Sequence, residues 1–280
     1  MTTKEIHVIK ASGDRELFDP LKLISSLSRA GATVEQARDI IVHIEKELED
    51  EMTTDHIYRH AFSILKRTKN PSVASRYSLR RALLELGPTG FPFEKFLGQL
   101  MKHRGYEIAV NQMLLGRCVP HEMDVVAYNE KELIMIESKF HNHPGEKSDL
   151  KVALYVKARF DDLLEQHFDY GKKRLLDKGW LVTNTKFTEN AIRYGECSGL
   201  TMIGWNYPKT GSIRDFIVDT GLHPVTCISE MSSSEKQLLL NNGMVLCRQI
   251  IDAQSELSRL GIGKEKIDAI TAEAREICGS

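Results

Sequence analysis

The 280-residue sequence has no apolar run approaching the roughly 20 residues needed to cross a bilayer, so no membrane partner is expected. Its first residues, Met1-Thr-Thr-Lys-Glu-Ile6, lack the apolar stretch of a secretory signal. Cysteine is scarce and odd in number. The five (118, 197, 227, 247 and 278) are widely spaced with no CxxC pair, which argues against a disulfide framework and a zinc ribbon and predicts a reducing, cytoplasmic setting. A G-x-x-x-x-G-K-S/T string is missing, which excludes a P-loop ATPase. Aromatic residues make up 7% of the chain and offer no obvious stacking platform for single-stranded nucleic acid. Charge of one sign is missing too: 38 basic against 39 acidic side chains leave a net charge of -1, so any nucleic-acid partner has to be argued from local features. What remains, 41% hydrophobic and 28% charged with no internal repeat, is ordinary globular composition of a length that suits two or three domains.

The punctuation divides the chain. Ile6–Lys10 is β-prone, Ser12-Gly13-Asp14 is a turn, and Arg15–Phe18 resumes an extended run, which predicts a small hairpin. Four helices follow. Asp19-Pro20 opens the first, Thr33-Val-Glu-Gln36 has capping-box spacing for the second, Thr53 or Thr54 caps the third, and Asn70-Pro71 opens the fourth, which Gly87-Pro88 stops. Residues 87–93, Gly-Pro-Thr-Gly-Phe-Pro-Phe, form the best boundary in the chain. Beyond it, a helix over 93–104 leads into short strands at 106–110, 123–128 and 133–138. A helix over 150–167, a strand at 180–183, a helix at 188–197 and a strand at 201–205 complete a covered, mixed sheet. The remainder reads as helical, with helices over 238–257 and 264–278. The expected organisation is an α/β multidomain chain: residues 1–87, a linker at 88–93, an α/β core over 94–207 and a helical region over 208–280.

The sharpest chemical pattern is Asp124 followed thirteen residues later by Glu137-Ser-Lys139. Asp124 begins one apolar run and Glu137 ends the next, with the polar Asn129–Glu132 between them as a hairpin turn. Side chains two apart on a strand share a face, so Glu137 and Lys139 point the same way, and an in-register hairpin brings Asp124 to them. Two carboxylates there would bind a hard cation such as Mg²⁺, and a lysine beside them can orient a water or stabilise charge on a phosphate. From spacing alone, a solvated strand end with an ordinary salt bridge reads equally well. His121, His141 and His143 match no zinc spacing and read as a polar loop. Between Lys139 and Arg193 stand eleven basic against eight acidic residues, with Lys151, Lys157 and Arg159 as candidates for phosphate contact. Ser148 and Asp149 read as caps of the following helix. Leu260-Gly-Ile-Gly263 has the look of a helix-hairpin-helix turn, but six basic and eight acidic residues over 228–280 favour a packing or oligomerisation piece over a DNA clamp.

The order of these residues is more specific than any one of them. Phe93-Glu94 leading to Arg104-Gly-Tyr106, His121-Glu-Met-Asp124, Glu137-Ser-Lys139, Leu181-Val-Thr-Asn-Thr-Lys-Phe-Thr188 and Met202-Ile-Gly-Trp-Asn206 together resemble the Mrr-type restriction endonuclease domain of the PD-(D/E)XK nuclease superfamily. The resemblance covers residues 93–206. It implies a restriction-endonuclease-like core and a Mg²⁺-dependent phosphodiesterase acting on double-stranded DNA. Asp124 and Glu137 would be metal ligands, Lys139 the residue that orients water or stabilises the transition state, and Glu94 an accessory acid.

Near the N-terminus, Val8-Ile-Lys10, Glu16-Leu-Phe18-Asp-Pro-Leu-Lys22, Thr54-Asp-His-Ile57 and Ala74-Ser-Arg-Tyr77 resemble the ATP-cone domain over residues 5–86. That resemblance implies a hairpin backed by a helical bundle that binds ATP or dATP as a regulator. Val8 and Lys10 would line the nucleotide, Lys22 and Thr54 would meet its phosphates, and Glu16 would help hold base or sugar. Alanine at position 11 replaces the second base of the usual Lys-Arg pair. The combined expectation is a cytoplasmic DNA endonuclease under nucleotide control, acting in restriction, phage defence or DNA repair. Cutting both strands requires two sites and hence a homo-oligomer. A nucleotide-responsive DNA-binding protein with a vestigial nuclease fold is the alternative.

Overall fold

The computed structural model describes residues 5–67 and 71–279. The expected hairpin forms from β1 (His7–Ile9) and β2 (Arg15–Leu17), antiparallel with Val8 opposite Glu16. Its turn closes on Gly13, whose φ of +85° only glycine adopts freely. Asp19 caps α1 (Pro20–Arg29) by accepting from the Leu21 amide, and Thr33 and Gln36 form the reciprocal capping box of α2 (Val34–Glu47). Thr33→Ala is expected to lower the stability of this unit by about 1 kcal/mol, read from its denaturant midpoint. A two-residue strand, β3 (Met52–Thr53), pairs in parallel with β1. At two residues it is too short for any periodicity in the sequence to signal it. It leads directly into α3 (Thr54–Arg67), where Thr53 Oγ1 accepts from the His56 amide at 3.2 Å. The fourth helix is α4 (Pro71–Leu84); the expected cap at Asn70 lies outside the described residues. Val8, Leu27, Ile40, Ile44, Ala61 and Leu65 fill the core between hairpin and helices.

The stretch read as a linker is shorter than expected, because α5 (Phe91–His103) begins inside it with Pro92 in its first turn, where no intrahelical N–H bond is lost. Then come β4 (Glu107–Leu115), β5 (Pro120–Tyr128) and β6 (Leu133–Lys139), an antiparallel meander of strands longer than the sequence suggested. A short β7 (Lys147–Ser148) precedes α6 (Leu150–Leu163), which Asp149 caps through the Val152 amide. The helix does not continue to His167: β8 (Phe168–Tyr170) and β9 (Lys172–Arg174) form a small hairpin around Gly171 instead. The chain continues through β10 (Lys178–Thr183), β11 (Lys186–Phe187), α7 (Glu189–Ser198) and β12 (Thr201–Ile203).

The five-stranded sheet has the order β12-β10-β6-β5-β4, antiparallel from β4 to β6 and parallel from β6 to β12. Both faces are covered, which is why β6 reads Leu-Ile-Met-Ile without alternation. Val125, Ile134 and Ile136 join Phe93, Phe96 and Leu97 of α5. Val126, Leu133 and Met135 join Val156 and Phe160 of α6 on the other side. The α6 contact is close: a Cβ at Gly179 would lie 2.4 Å from the buried Phe160 ring. Gly179→Ala is therefore expected to destabilise the sheet unit by about 1–3 kcal/mol, seen as a lower urea midpoint.

The C-terminal region comprises α8 (Ile213–Thr220), α9 (Ser233–Asn241), α10 (Cys247–Asp252), α11 (Gln254–Arg259) and α12 (Lys264–Cys278). The single helix expected over 238–257 is broken. Gly243 takes φ +80° and the Met244 amide turns back to the Leu239 carbonyl, the left-handed termination that glycine favours. Apolar residues on both sides of the break enter one core, so the pattern alone conceals it. These helices pack on α4 as well as on α5, with Leu83 and Leu86 sharing a core with Leu239, Ile250 and Ile270. Thr226 Oγ1 also donates to the Ala82 carbonyl at 2.6 Å. Among the described residues, no helix is long and apolar enough to cross a membrane.

Candidate functional site

The β5–β6 register ends at Val125 opposite Ile136, and Asp124 and Glu137 are the next residues on the two strands where the pairing stops. Asp124 Oδ2 accepts from the Ser138 amide at 2.6 Å, which fixes its carboxylate against the second strand. Glu94, from the first turn of α5, brings a third carboxyl close enough to be felt. Burial pushes Glu137 up to about 7, with the charges of Asp124 and Glu94 adding to it and Arg159 opposing. Burial, Asp124 and Glu122 likewise push Glu94 up to about 7. Asp124 is also raised by burial, offset in part by the Ser138 hydrogen bonds. Glu137 Oε2 is buried with no hydrogen-bond partner. An orphaned carboxylate oxygen among like charges is costly unless a cation offsets it. The all-oxygen donor set fits a hard ion such as Mg²⁺, which needs only one or two protein carboxylates and keeps its waters. Lys139 ends β6 in an exposed position on the Glu137 face, and its carbonyl accepts from Thr183 Oγ1 at 2.7 Å, tying the strand end to β10.

The structure adds Arg159 to this group. Its Nη1 donates to Glu137 Oε1 at 2.5 Å, its Nη2 donates to the Glu122 carbonyl, and its guanidinium lies over the Tyr155 ring. The sequence offered Arg159 as a phosphate contact; it is engaged with Glu137 instead. No local spacing signals a partner 22 residues away on a different element. Lys157 is likewise paired, with Asp161. The histidines go separate ways. His121 meets Asp162 at 2.8 Å, while His141 meets Ser148 Oγ at 3.0 Å and Glu146 at 3.3 Å. Ser148 thus serves the loop, and Asp149 alone caps α6. Among the described residues, the histidine and acid group whose ligand atoms all lie within 4.8 Å is His43, Glu47 and His60 on α2 and α3, tighter than the three carboxylates.

In the N-terminal unit, Glu16 receives Lys10 Nζ at 2.6 Å and Lys22 Nζ at 2.9 Å, and these two ammonium groups hold its carboxyl below the usual range. Ile9 pairs with Thr53, so Lys10 and Thr54 follow side by side at adjoining strand ends. Four of the five expected nucleotide residues are therefore gathered on or beside the hairpin. Val8 differs: its side chain is 3% exposed inside the unit's own core and is not free to line a ligand.

Comparison with known proteins names the two ends of the chain. The ATP cone domain model matches residues 6–85, and the model for AF1548-like proteins, C-terminal, matches residues 223–278. Over 184 residues the chain is 35% identical to an uncharacterized protein of Archaeoglobus fulgidus, an alignment covering 65% of this chain and 100% of the relative. The chain belongs to the AF1548-like family. The crystal structure of AF1548, a protein of unknown function, is similar at a TM-score of 0.56 and 33% identity, covering 68% of this chain and 99% of that one. This AF1548-like chain thus carries an N-terminal ATP cone, a nucleotide-regulatory domain, and an AF1548-like C-terminal domain. No activity is attached to either relative.

Proposed function

We propose that this AF1548-like protein is a Mg²⁺-dependent endonuclease of double-stranded DNA, of the restriction-endonuclease-like type, and that ATP or dATP bound to its cone controls it. The observation that carries the reading is the mutual repulsion of Glu94, Asp124 and Glu137 around an orphaned, buried Glu137 oxygen, with Lys139 on the same strand face. The mixed sheet, with its acids where two strands part and a helix on either face, supports it further. Asp124 and Glu137 would hold the metal, which when bound supplies Lewis-acid stabilisation of phosphate charge and an acidified water. Lys139 would orient the attacking water or stand against the charge developing on the phosphoryl oxygens. Glu94, titrating near neutrality, is suited to hold a proton beside the reacting water. Cutting both strands calls for a homodimer.

The test is conversion of supercoiled plasmid in Mg²⁺, with and without ATP or dATP. Cutting that responds to nucleotide is expected. Cutting unchanged across the titration removes the regulatory half, since a nucleotide that binds active and inactive arrangements alike shifts nothing. One observation favours a second reading, a nucleotide-responsive DNA-binding protein without catalysis: Arg159 already occupies one oxygen of Glu137. DNA binding with no cleavage of plain or modified plasmid at any Mg²⁺ concentration selects that reading.

A further inference from the structure

Lys147 and Lys186 are cross-strand partners in the β7–β11 pair, so their side chains stand together on one face. That face meets the cone. Arg80 of α4 reaches over to the loop before β7, its Nη2 donating to the Pro144 carbonyl at 2.7 Å. The next residue, Gly145, lies so close to the cone's hairpin turn that a Cβ there would be 3.3 Å from the Ser12 backbone. Lys10 follows β1 at the start of that turn. Four cations therefore converge where the cone touches the sheet unit.

Their pairing is incomplete. Lys10 has Glu16 at 2.6 Å, and the nearby Glu146 is taken by His141 at 3.3 Å. Among the described residues, Arg80, Lys147 and Lys186 have no carboxylate in ion-pair contact, and Arg80 Nε is buried without a hydrogen-bond partner. Partial burial of the Lys186 ammonium, with the charges of Arg80, Lys147 and Lys10 adding to it, holds that lysine below its usual range. Like charges gathered without a counterion raise the energy of the empty arrangement, and a compact polyanion offsets it.

We infer that the polyphosphate of the cone's nucleotide is held jointly by Lys10 and Arg80 of the cone and by Lys147 and Lys186 of the sheet unit, so that the nucleotide clamps the two together. The inference rests on the cone binding a nucleotide and adds the groups outside it. A triphosphate concentrates its charge within a few bonds and suits cations meeting at one point. A DNA strand spreads its charge along a ribbon, which suits a row of cations rather than a single meeting point. The clamp also has somewhere to act. Residues 140–146 connect Lys139 to Lys147, and they are fastened at Asn142 to the Pro88 carbonyl, at His141 to Asn184 and at Pro144 to Arg80. A polyphosphate drawing on Lys147 thereby bears on the loop that leaves the Glu137-Ser-Lys139 strand end.

The experiment is calorimetric binding of ATP, dATP, ADP and AMP to the full chain, comparing wild type with the double variant Lys147→Ala/Lys186→Ala. Both side chains are exposed, so the fold is expected to survive, and unchanged melting confirms it. ATP affinity is expected to fall at least tenfold in the double variant, with the loss shrinking through ADP and disappearing for AMP. Lys147→Arg/Lys186→Arg is expected to retain most of the affinity. Equal ATP affinity in wild type and double variant overturns the inference and leaves the cone reading intact. A wild type that binds none of the nucleotides removes the cone reading and the inference with it. Unchanged ATP binding with weakened DNA binding assigns the cations to the DNA backbone and overturns the inference as well.

Discussion

Asp124→Ala is expected to slow Mg²⁺-dependent plasmid cleavage by roughly 10³-fold or more, the scale of losing a principal group that manages transition-state charge. Its effect on the metal-free fold runs the other way. Asp124 raises both Glu94 and Glu137, so its removal relieves repulsion among three partly buried carboxyls, set against the loss of an acceptor for the Ser138 amide. Little change in melting temperature without metal, combined with loss of cutting and of the melting rise on adding Mg²⁺, is the signature of a metal ligand. A purely structural Asp124 predicts the reverse: a marked drop in melting temperature and cutting reduced only in proportion to unfolded protein. Lys139→Ala separates the roles further. Lys139 is exposed, so cleavage is expected to fall as steeply while Mg²⁺ still raises the melting temperature. Arg159 tests the pairing that competes with metal. Arg159→Ala leaves Glu137 without its cation, which is expected to lower metal-free stability and to tighten Mg²⁺ binding.

How far the sequence reveals this arrangement depends on the distance over which each feature is determined. The caps at Asp19, Thr33 and Asp149 are local hydrogen bonds, and each stands where the sequence predicts it. The β5–β6 hairpin is also local: four polar residues between two apolar runs fix a register that ends beside Asp124, whose carboxylate then meets the Ser138 amide of β6. Features built from distant parts leave no such trace. Strand β3 exists because β1, far upstream, offers it a parallel edge, and two residues cannot display a period. Arg159 finds Glu137 through the packing of α6 on the sheet, not through spacing. The cation cluster joins Lys10, Arg80, Lys147 and Lys186 from four separate stretches of a chain whose net charge is only -1. Net charge therefore missed what local convergence supplies. The break at Gly243 escaped for a different reason, since a buried helix–turn–helix and a buried continuous helix share the same apolar stripe.

The carboxyl group also predicts how stability depends on pH. Glu137 is raised to about 7 in the fold, against a value near 4.3 in an unfolded chain. Between those values the folded protein binds the extra proton, so stability falls as pH rises through the window and is lowest above the folded value. For the largely buried Glu137 the loss from pH 5 to pH 8 is expected to be about 2 kcal/mol, with Glu94, more open to solvent, contributing less through screening. The measurement is melting of chelator-treated wild type and Glu137→Gln at pH 5, 6.5 and 8. The wild type is expected to lose melting temperature relative to the variant as pH rises, because a neutral amide has no charge to resist. Mg²⁺ then reverses the slope for the wild type alone: it binds the deprotonated pair, so its stabilising effect is small at pH 5 and largest at pH 8. If wild type and Glu137→Gln melt in parallel across this range, with and without Mg²⁺, the three carboxyls are an ordinary solvated strand end. The nuclease reading then loses the observation on which it stands.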